Sequence, residues 1–309
     1  MKIIKTVIGS FPRLDNNDLR AFDAAVKLQE RNGIDLLSDG EQRGDMIFYL
    51  AQSIPGLGIE NGHPIVCGKI APPEDPMKVH KVKDYFHLKR KYPDLTFKVS
   101  LTGPTTLAIG AGSKKICCGY RNYIDPALTA DLAAALKEIV KPLANAKAHL
   151  QIDEPFFSQG FRDLADRIKL VDEILEGYPR ELCSIHVCGW LGRQPVLEEL
   201  VKLENVEVIS HAFSTGMEKE NVKLLKRSLF KGTGKKLGAG IISVSPLKQE
   251  DIESPETVAD RLDKIVSKIG GVDQIGFVHP DCGLRATRED LVEGILCNFN
   301  EGVRLYLDR

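Results

Sequence analysis

Residues 182–190 read LCSIHVCGW, and this stretch decides how the rest of the sequence is interpreted. The run 182–185 is short and mainly apolar without strict alternation, as in a strand that a parallel sheet buries on both faces. It leads directly into His186 and Cys188, two side chains able to bind a metal ion. Parallel α/β folds place their active sites at the carboxyl ends of the strands. The stretch therefore predicts a buried parallel strand that ends in functional residues.

Seven further runs of the same kind occur along the chain, so eight strands are predicted. They lie at 3–9, 34–39, 96–102, 149–153, 182–187, 206–212, 237–243 and 274–279. Helical patterns separate them, with a start signal such as Asp125-Pro126 and a stop signal such as Gly270. Eight strands, each followed by a helix, predict an α/β fold of the (β/α)8 TIM-barrel type.

We expect residues 1–309 to form a single barrel domain with an elaborated loop at about 44–77. That loop is rich in Gly and Pro, and we expect it to lie over the top of the barrel and to include a small hairpin. An open doubly wound sheet is the alternative architecture. No G-x-G-x-x-G follows the first strand, which disfavours it.

The composition excludes several classes of protein. The net charge is −1, which argues against nucleic-acid and anionic-membrane partners, since both require a basic excess. No apolar stretch approaches the length of about 20 residues that spans a bilayer, and the N-terminus reads as a strand and not a signal peptide. We therefore expect a cytoplasmic protein. Its seven cysteines, an odd number, do not indicate a disulfide framework.

His186 and Cys188 are the strongest candidates for metal binding. Alternate residues of an extended strand point to the same side, so both side chains can reach one ion. Cys282 follows the last predicted strand and supplies a third candidate ligand. Zinc binds imidazole nitrogen and thiolate sulfur, and a catalytic zinc keeps one position open. The alternative is that these residues are buried core side chains, a common location for cysteine.

Six motifs in fixed order resemble the catalytic domain of cobalamin-independent methionine synthase. They are TVIGSFPR (6–13), SDGEQRGDM (38–46), LTGPTTL (101–107), QIDEP (151–155), HVCG (186–189) and PDCGLR (280–285). The chain has no room for a second barrel, so it is similar to the short, single-barrel form of the family. The resemblance implies a zinc-dependent methyltransferase that transfers a methyl group to the thiol of homocysteine, in methionine biosynthesis.

The same resemblance implies a ligand set for the zinc. The family's His and two Cys fall on His186, Cys188 and Cys282. Its fourth ligand, a Glu at the end of strand six, falls on Ala212, which cannot bind a metal. His211 is one possible replacement, although a shift of one residue along a strand turns the side chain to the opposite face. The other possibility is that water or substrate completes the coordination.

The resemblance also assigns the residues that bind homocysteine. Glu41 and Asp153 match the site for its amino group, and two carboxylates facing an ammonium attract it strongly in a dry pocket. Ser10 matches the carboxylate site, where backbone N–H donors also suit an anion. The alternatives are a solvated loop acid for Glu41 and a turn or helix-cap residue for Asp153.

The methyl donor is inferred from a segment in which this sequence differs from part of the family. Relatives that use methyltetrahydrofolate carry a segment like YGSRCVRPP, and the corresponding stretch 109–126, IGAGSKKICCGYRNYIDP, does not match it. A methylcorrinoid or corrinoid protein is therefore the favoured donor, with the folate less favoured. Two competing functions remain open: alkyl transfer to coenzyme M or another thiol, and a catalytically inert metal- or thiol-binding barrel.

Overall fold

A computed structural model describes residues 3–309. Its strands are β1 (Leu57–Glu60), β2 (His63–Val66), β3 (Lys98–Thr102), β4 (His149–Asp153), β5 (Cys183–Val187), β6 (Val208–Ala212), β7 (Lys236–Ile242) and β8 (Ile275–Pro280). Its α-helices are α1 (Asp18–Arg31), α2 (Met46–Ala51), α3 (His80–Lys91), α4 (Pro104–Gly112), α5 (Pro126–Asn145), α6 (Leu164–Ile174), α7 (Val196–Leu200), α8 (Pro255–Ile269) and α9 (Glu289–Leu307).

The strands close into a barrel. β3 to β8 form one parallel sheet in chain order. Parallel bridges at Lys5–Val278, Thr6–Leu36 and Leu37–Phe97 complete the circle through two short extended segments. Eight positions around the circle, with helices on the outside, confirm the predicted TIM barrel and exclude the open doubly wound sheet.

The first two barrel positions are shorter than the strands predicted at 3–9 and 34–39. Side chains take over backbone groups that a longer ladder would have paired: the Gln29 amide binds both the N–H of Ser38 (2.8 Å) and its carbonyl (3.0 Å). The Thr6 hydroxyl likewise donates to the carbonyl of Leu36 at 2.7 Å. The chain then leaves the sheet early, which sends Ser10 and Glu41 over the barrel mouth.

The outer helices bury an apolar face against the barrel wall. In α8 the buried residues include Val258, Leu262 and Ile269, which recur at the spacing of one helix face. Ser254 caps the start of α8, and Gly270 ends it in the left-handed conformation with φ of 95°, as the sequence predicts.

The connection from β6 to β7 departs from the predicted alternation. Two 3₁₀ helices, Glu218–Lys223 and Arg227–Leu229, occupy this connection in place of an α-helix. The buried Asn221 side chain holds the first of them down, because it donates to the carbonyls of Gly189 and Ala212, both at 3.0 Å. As a result, the segment stays at the barrel mouth.

The segment 44–77 contains helix α2 and the antiparallel hairpin β1–β2. Asn61 and Gly62 form the two-residue turn, with φ of 50° and 77°, the backbone of a type I′ hairpin. The Thr102 hydroxyl, at the end of β3, donates to the carbonyl of Met46 at 2.7 Å and attaches the segment to the carboxyl end of the sheet. Across residues 3–309, no helix combines the length and apolar character needed to cross a membrane.

Candidate metal and substrate site

Three potential metal ligands meet at the carboxyl end of the barrel. His186 lies in β5, Cys188 directly follows that strand, and Cys282 follows β8. One ligand atom from each residue lies within 4.8 Å of the other two. Among residues 3–309, no other three His, Cys, Asp or Glu side chains meet this condition. The structure thus brings together the three residues that the sequence singled out as metal ligands.

The imidazole of His186 is in a state suited to metal binding. Its Nε2 is buried and has no hydrogen-bond partner among the described residues. Burial, reinforced by neighbouring His279 and His211, holds the pKa of His186 well below its ordinary value, so the ring is neutral. A buried nitrogen with a free lone pair needs a partner, and a metal ion between the imidazole and the two thiols would provide it.

The two thiols share one hydrogen bond, which separates their acidities. That bond raises the pKa of Cys188 well above its usual value, and burial adds to the increase. The same bond lowers the pKa of Cys282. Cys282 is therefore the thiol that ionises more readily. Two cysteines and a neutral histidine are a ligand set typical of zinc.

The second nitrogen of His186 belongs to a chain of buried polar groups that sequence reasoning did not identify. His186 Nδ1 lies 2.9 Å from Ser210 Oγ on β6. Ser210 Oγ lies 2.8 Å from His279 Nε2 on β8. His279 Nδ1 lies 2.8 Å from the carbonyl oxygen of Pro280. The feature of the sequence that could have pointed to these groups is the position of Ser210 and His279 near the ends of predicted strands.

The loop that carries Cys282 is anchored by its neighbour Asp281. This buried carboxylate accepts hydrogen bonds from the backbone N–H groups of Phe213, Ser214 and Thr215, at 2.6–3.2 Å. The hydroxyls of Ser214 and Thr215 donate to it as well, at 2.7 and 2.8 Å. The loops after β6 and β8 are thereby joined, which fixes the position of Cys282.

His211, the possible fourth ligand, lies apart from the cluster. Its Nδ1 is 3.0 Å from the carbonyl of Val187, and it is completely buried. Ser210 faces His186, so strand alternation turns His211 to the other face of β6. Its Nε2 is buried without a partner, but it does not approach the sulfur atoms closely enough to belong to the group of three.

Glu218 is an acidic group beside the cluster that sequence reasoning missed. Its Oε1 accepts the backbone N–H of Gly189, the residue after Cys188, at 2.6 Å. Its charge is felt by both Cys188 and Cys282. Burial, followed by the charge of Asp281, raises the pKa of Glu218. The only feature of the sequence that pointed to Glu218 was its position, six residues after Ala212, in a connection that was expected to be helical.

The predicted substrate acids are buried at the barrel mouth, but one of them already has a cation. Lys81 Nζ on α3 lies 3.0 Å from Glu41 Oε1 and 3.3 Å from Asp39 Oδ2. Lys81 is 2 % exposed, and these two carboxylates keep its pKa above its ordinary value despite the burial. Glu41 has a positive φ of 51°, uncommon for a residue with a side chain. Arg285 holds this backbone by donating to the carbonyl of Glu41.

Asp153 is the carboxylate whose negative charge is least stabilised by its neighbours. Burial, and then the negative charge of Glu41, raise its pKa well above its usual value. Gln151 donates to Asp153 Oδ1 at 2.6 Å, and Lys98 contributes an attractive charge. Lys98 itself is buried, and burial lowers its pKa to about 7. A single lysine within the apolar stretch 96–102 was the sequence signal for it.

Ser10 lies against the loop that carries Cys282. A Cβ placed on Gly283 would come within 2.2 Å of Ser10 Oγ, so only glycine fits between the two segments. The carbonyl of Ser10 accepts the N–H of Leu284 at 2.7 Å. On the other side, a Cβ on Gly9 would lie 3.6 Å from the Glu41 carboxyl carbon. Ser10 therefore stands between the metal cluster and the acids.

Glu154 has a structural role. It is buried and accepts the N–H groups of Thr105 and Thr106, at 2.8 and 2.9 Å, at the start of α4. The Thr106 hydroxyl also donates to it, at 2.7 Å. A side chain on Gly103 would collide with Glu154, at 2.4 Å. The motifs LTGPTTL and QIDEP are thus bound to each other, which aligns Asp153.

A TIM barrel that gathers an imidazole, two thiols and buried carboxylates at the carboxyl ends of its strands has the design of a metal-dependent enzyme. Residues 16–301 match the family model described as the catalytic domain of cobalamin-independent synthase. The chain belongs to this family of methyltransferases.

Curated relatives cover almost the whole chain. The methionine synthase of Methanothermobacter thermautotrophicus is 30% identical over 92% of this chain and 94% of its own length. That of Methanocaldococcus jannaschii is 28% identical over 98% and 99%. The solved B12-independent methionine synthase of a Shewanella species, in complex with selenomethionine, is 22% identical with a TM-score of 0.82, covering 99% of this chain and 98% of its own. This last likeness supports the fold.

Proposed function

We propose that this protein transfers a methyl group to the thiol of homocysteine and forms methionine, with a zinc ion held by His186, Cys188 and Cys282. The observation that carries the proposal is the bare, buried Nε2 of His186 facing two cysteines at the mouth of the barrel. The family supports the same reaction. A zinc ion in this site would stabilise the thiolate form of a bound thiol, whose ordinary pKa is about 8.5.

The carboxylates give the site a preference for a cationic group. Asp39 and Glu41 share the cation Lys81, and Arg285 lies against the backbone of Glu41. Asp153 forms no salt bridge with any residue in the range 3–309, which suits it to receive the ammonium of an amino acid. Asp153 is the proposed receiver, because its neighbours leave it the least stabilised as an anion. Binding an ammonium there lowers its pKa and keeps it charged.

The proposed reaction is an in-line displacement. The sulfur of homocysteine attacks the methyl carbon, an S–C bond forms, and the bond from that carbon to the donor breaks with its electron pair left on the donor. The protein's part is to align sulfur and methyl group, since proximity alone accounts for a large share of such rate increases. Ser10 and the backbone N–H groups beside it are proposed to hold the amino acid carboxylate.

We further propose a methylcorrinoid, free or carried by a corrinoid protein, as the methyl donor. The stretch 109–126 supports this choice, because it lacks the pattern of folate-using relatives. The hairpin β1–β2 and helix α2 stand beside the mouth and offer a docking surface for a protein donor. Paired assays with methylcobalamin and methyltetrahydrofolate distinguish the donors, and turnover with the folate alone would contradict the corrinoid proposal.

Alkyl transfer to coenzyme M is the second candidate, and the two buried lysines favour it. Coenzyme M has a sulfonate and no ammonium, so Lys81 or Lys98 would have to release a carboxylate or a carbonyl to bind it. Lys81 already has two acidic partners, which makes this exchange unfavourable. Homocysteine needs no such rearrangement.

A competition experiment tests the function. The zinc-loaded protein is assayed with methylcobalamin and either homocysteine or coenzyme M, and the cobalt(II)-substituted protein is titrated with each thiol to detect sulfur-to-cobalt absorption. We expect methionine formation and a new absorption band with homocysteine only. Tight binding and turnover of coenzyme M alone would establish the second candidate. Zinc binding without product from any methylcorrinoid would indicate an inert barrel.

A further inference from the structure

We propose that Ser210 and His279 act as positioning residues that set the tautomer of His186. Their hydrogen bonds place the proton of His186 on Nδ1 and leave the lone pair of Nε2 for the metal. This inference rests on the proposed metal centre, and its test separates the two ideas. The chain of groups Pro280 carbonyl, His279, Ser210 and His186 is called the proton chain below.

The direction of the proton chain follows from its far end. The carbonyl oxygen of Pro280 can only accept, so His279 Nδ1, at 2.8 Å, must carry a proton. A neutral His279 then has a lone pair on Nε2, and the Ser210 hydroxyl, at 2.8 Å, must donate to it. Ser210 has one proton, so its oxygen accepts from His186 Nδ1 at 2.9 Å.

The buried site favours the neutral form of the His186 and His279 imidazoles. His279 is completely buried, so a charge on its ring would cost free energy unless an acidic group paired with it. The rings of His186 and His279 meet edge to face, with centroids 5.5 Å apart, and no acidic side chain within residues 3–309 hydrogen-bonds to either ring. Two protonated imidazoles at this distance in a buried site would repel each other strongly. Each ring therefore carries one proton. The carbonyl of Gly238 is a further acceptor near His279, and the 2.8 Å contact with the Pro280 carbonyl is the observation that assigns the proton to Nδ1.

The reversed direction is unfavourable. If His186 carried its proton on Nε2, Ser210 would donate to His186, and His279 would have to donate to Ser210 from Nε2. His279 Nδ1 would then direct a lone pair at the carbonyl oxygen of Pro280, only 2.8 Å away. Two acceptors in a buried contact repel each other and lose a hydrogen bond. The observed distances thus favour one of the two directions.

The neighbouring strand leaves room for the proton chain. A Cβ on Gly238 of β7 would lie 2.7 Å from the Cβ of Ser210 and 2.5 Å from the ring of Phe277. The contact with its Cβ would displace Ser210 from between the two imidazoles. Glycine at this position is therefore part of the arrangement that holds the hydroxyl in place.

The first measurement uses the unmodified protein without metal. Histidine labelled with ¹⁵N reports the protonated nitrogen of each ring through its chemical shift and its couplings to ring protons. We expect His186 protonated at Nδ1 and bare at Nε2 before any metal is added. A proton on Nε2 of His186 in the metal-free protein would overturn the proposal, and this result requires no variant.

The second measurement removes the hydroxyl. We expect Ser210→Ala to give a mixture of His186 tautomers and to weaken zinc binding, measured by chelator competition, by about 10–100-fold, the usual effect of losing such a supporting group. Ser210→Thr keeps the hydroxyl and should restore both properties. Ser184→Ala is the matched control, because Ser184 is also buried, on the adjacent β5, and donates to the Leu150 carbonyl outside the proton chain.

The outcomes separate the proton chain from the metal centre. An unchanged tautomer and unchanged zinc affinity in Ser210→Ala would overturn the role of Ser210. The expected tautomer in a protein that binds no zinc would contradict the proposed metal centre and leave the proton chain intact. Equal losses in Ser184→Ala and Ser210→Ala would indicate a general packing effect and would also overturn the proposal.

Discussion

The two sides of the barrel mouth handle charge in opposite ways. On the metal side, no cationic side chain of the described part of the chain hydrogen-bonds to His186, Cys188 or Cys282, and the buried Nε2 of His186 has no partner there either. On the carboxylate side, Lys81 already forms ion pairs with Glu41 and Asp39. The metal side thus has a place for the proposed cation, whereas the acids Glu41 and Asp39 on the carboxylate side are already paired with Lys81. This difference shows that two acidic residues predicted from sequence to bind a cation can already be paired with a lysine of the same chain.

The largest expected effect breaks the metal side. Cys282→Ser removes the thiol that ionises most readily, so we expect zinc affinity to fall by more than about 100-fold and methyl transfer to be lost. Chelator competition and methionine formation measure the two quantities. Cys297→Ser is the matched control, since Cys297 is an exposed thiol on α9. Normal zinc loading in Cys282→Ser would contradict the ligand assignment.

A second change breaks the carboxylate side. Lys81→Met leaves the buried Glu41 and the partly exposed Asp39 without their cation, and we expect the free energy of unfolding to fall by about 3–5 kcal/mol. Denaturant titration of the metal-free protein measures it. The control is Lys83→Met on the exposed face of the same helix. Zinc affinity should change little, and a large loss of zinc binding would show that the two sides are not independent.

A pH series sharpens the comparison on the carboxylate side. Burial lowers the pKa of Lys98 to about 7, so between pH 7 and 10 the unfolded chain binds the extra proton. Stability from this group therefore rises with pH across that window, by at most about 1.4 kcal/mol per unit. We expect Lys98→Met to remove this rise, measured by urea unfolding at several pH values. An identical pH dependence in the variant would mean that Lys98 stays charged in the fold.

The smallest expected effect concerns Glu218, next to the metal side. Glu218→Gln keeps the hydrogen bond from Gly189 but removes a negative charge near both thiols, so zinc affinity should fall by about 10-fold. Glu220→Gln is the control, because Glu220 pairs with Lys223 on the same 3₁₀ helix. A far larger loss, together with an altered cobalt(II) spectrum, would identify Glu218 as a direct metal ligand. It would then replace the family's Glu, whose position is occupied here by Ala212.

The barrel, and the meeting of His186, Cys188 and Cys282 at its mouth, could be predicted from sequence because both follow from local order. Apolar runs that end in polar residues mark the carboxyl ends of parallel strands, and the barrel brings these ends together. His186, Cys188 and Cys282 were therefore assignable without knowing a single contact. Helix α8 was equally predictable, because its apolar residues recur at helical spacing and Ser254 and Gly270 mark its ends.

The partners of these residues could not be predicted, because they come from distant elements. Lys81 reaches Glu41 across 40 positions of sequence, and His279 reaches Ser210 across 69. No local pattern sets such distances, which depend on the tilt and register of the closed barrel. Glu218 was missed for a different reason: a 3₁₀ segment occupies a connection where a helix was expected.

The two short barrel positions, Lys5–Thr6 and Leu36–Leu37, have a dynamic consequence. They join β8 to β3 through isolated bridges, whereas the ligands of the metal cluster come from the continuous ladder β3–β8. Fewer ladder bonds mean a smaller free energy of local opening, so backbone amides at 5–6 and 36–37 should exchange with deuterium faster than those of β5. The seam of the cylinder thus runs beneath Ser10 and Glu41, so we expect the loops that carry these two residues to flex more than the ends of β5 and β8.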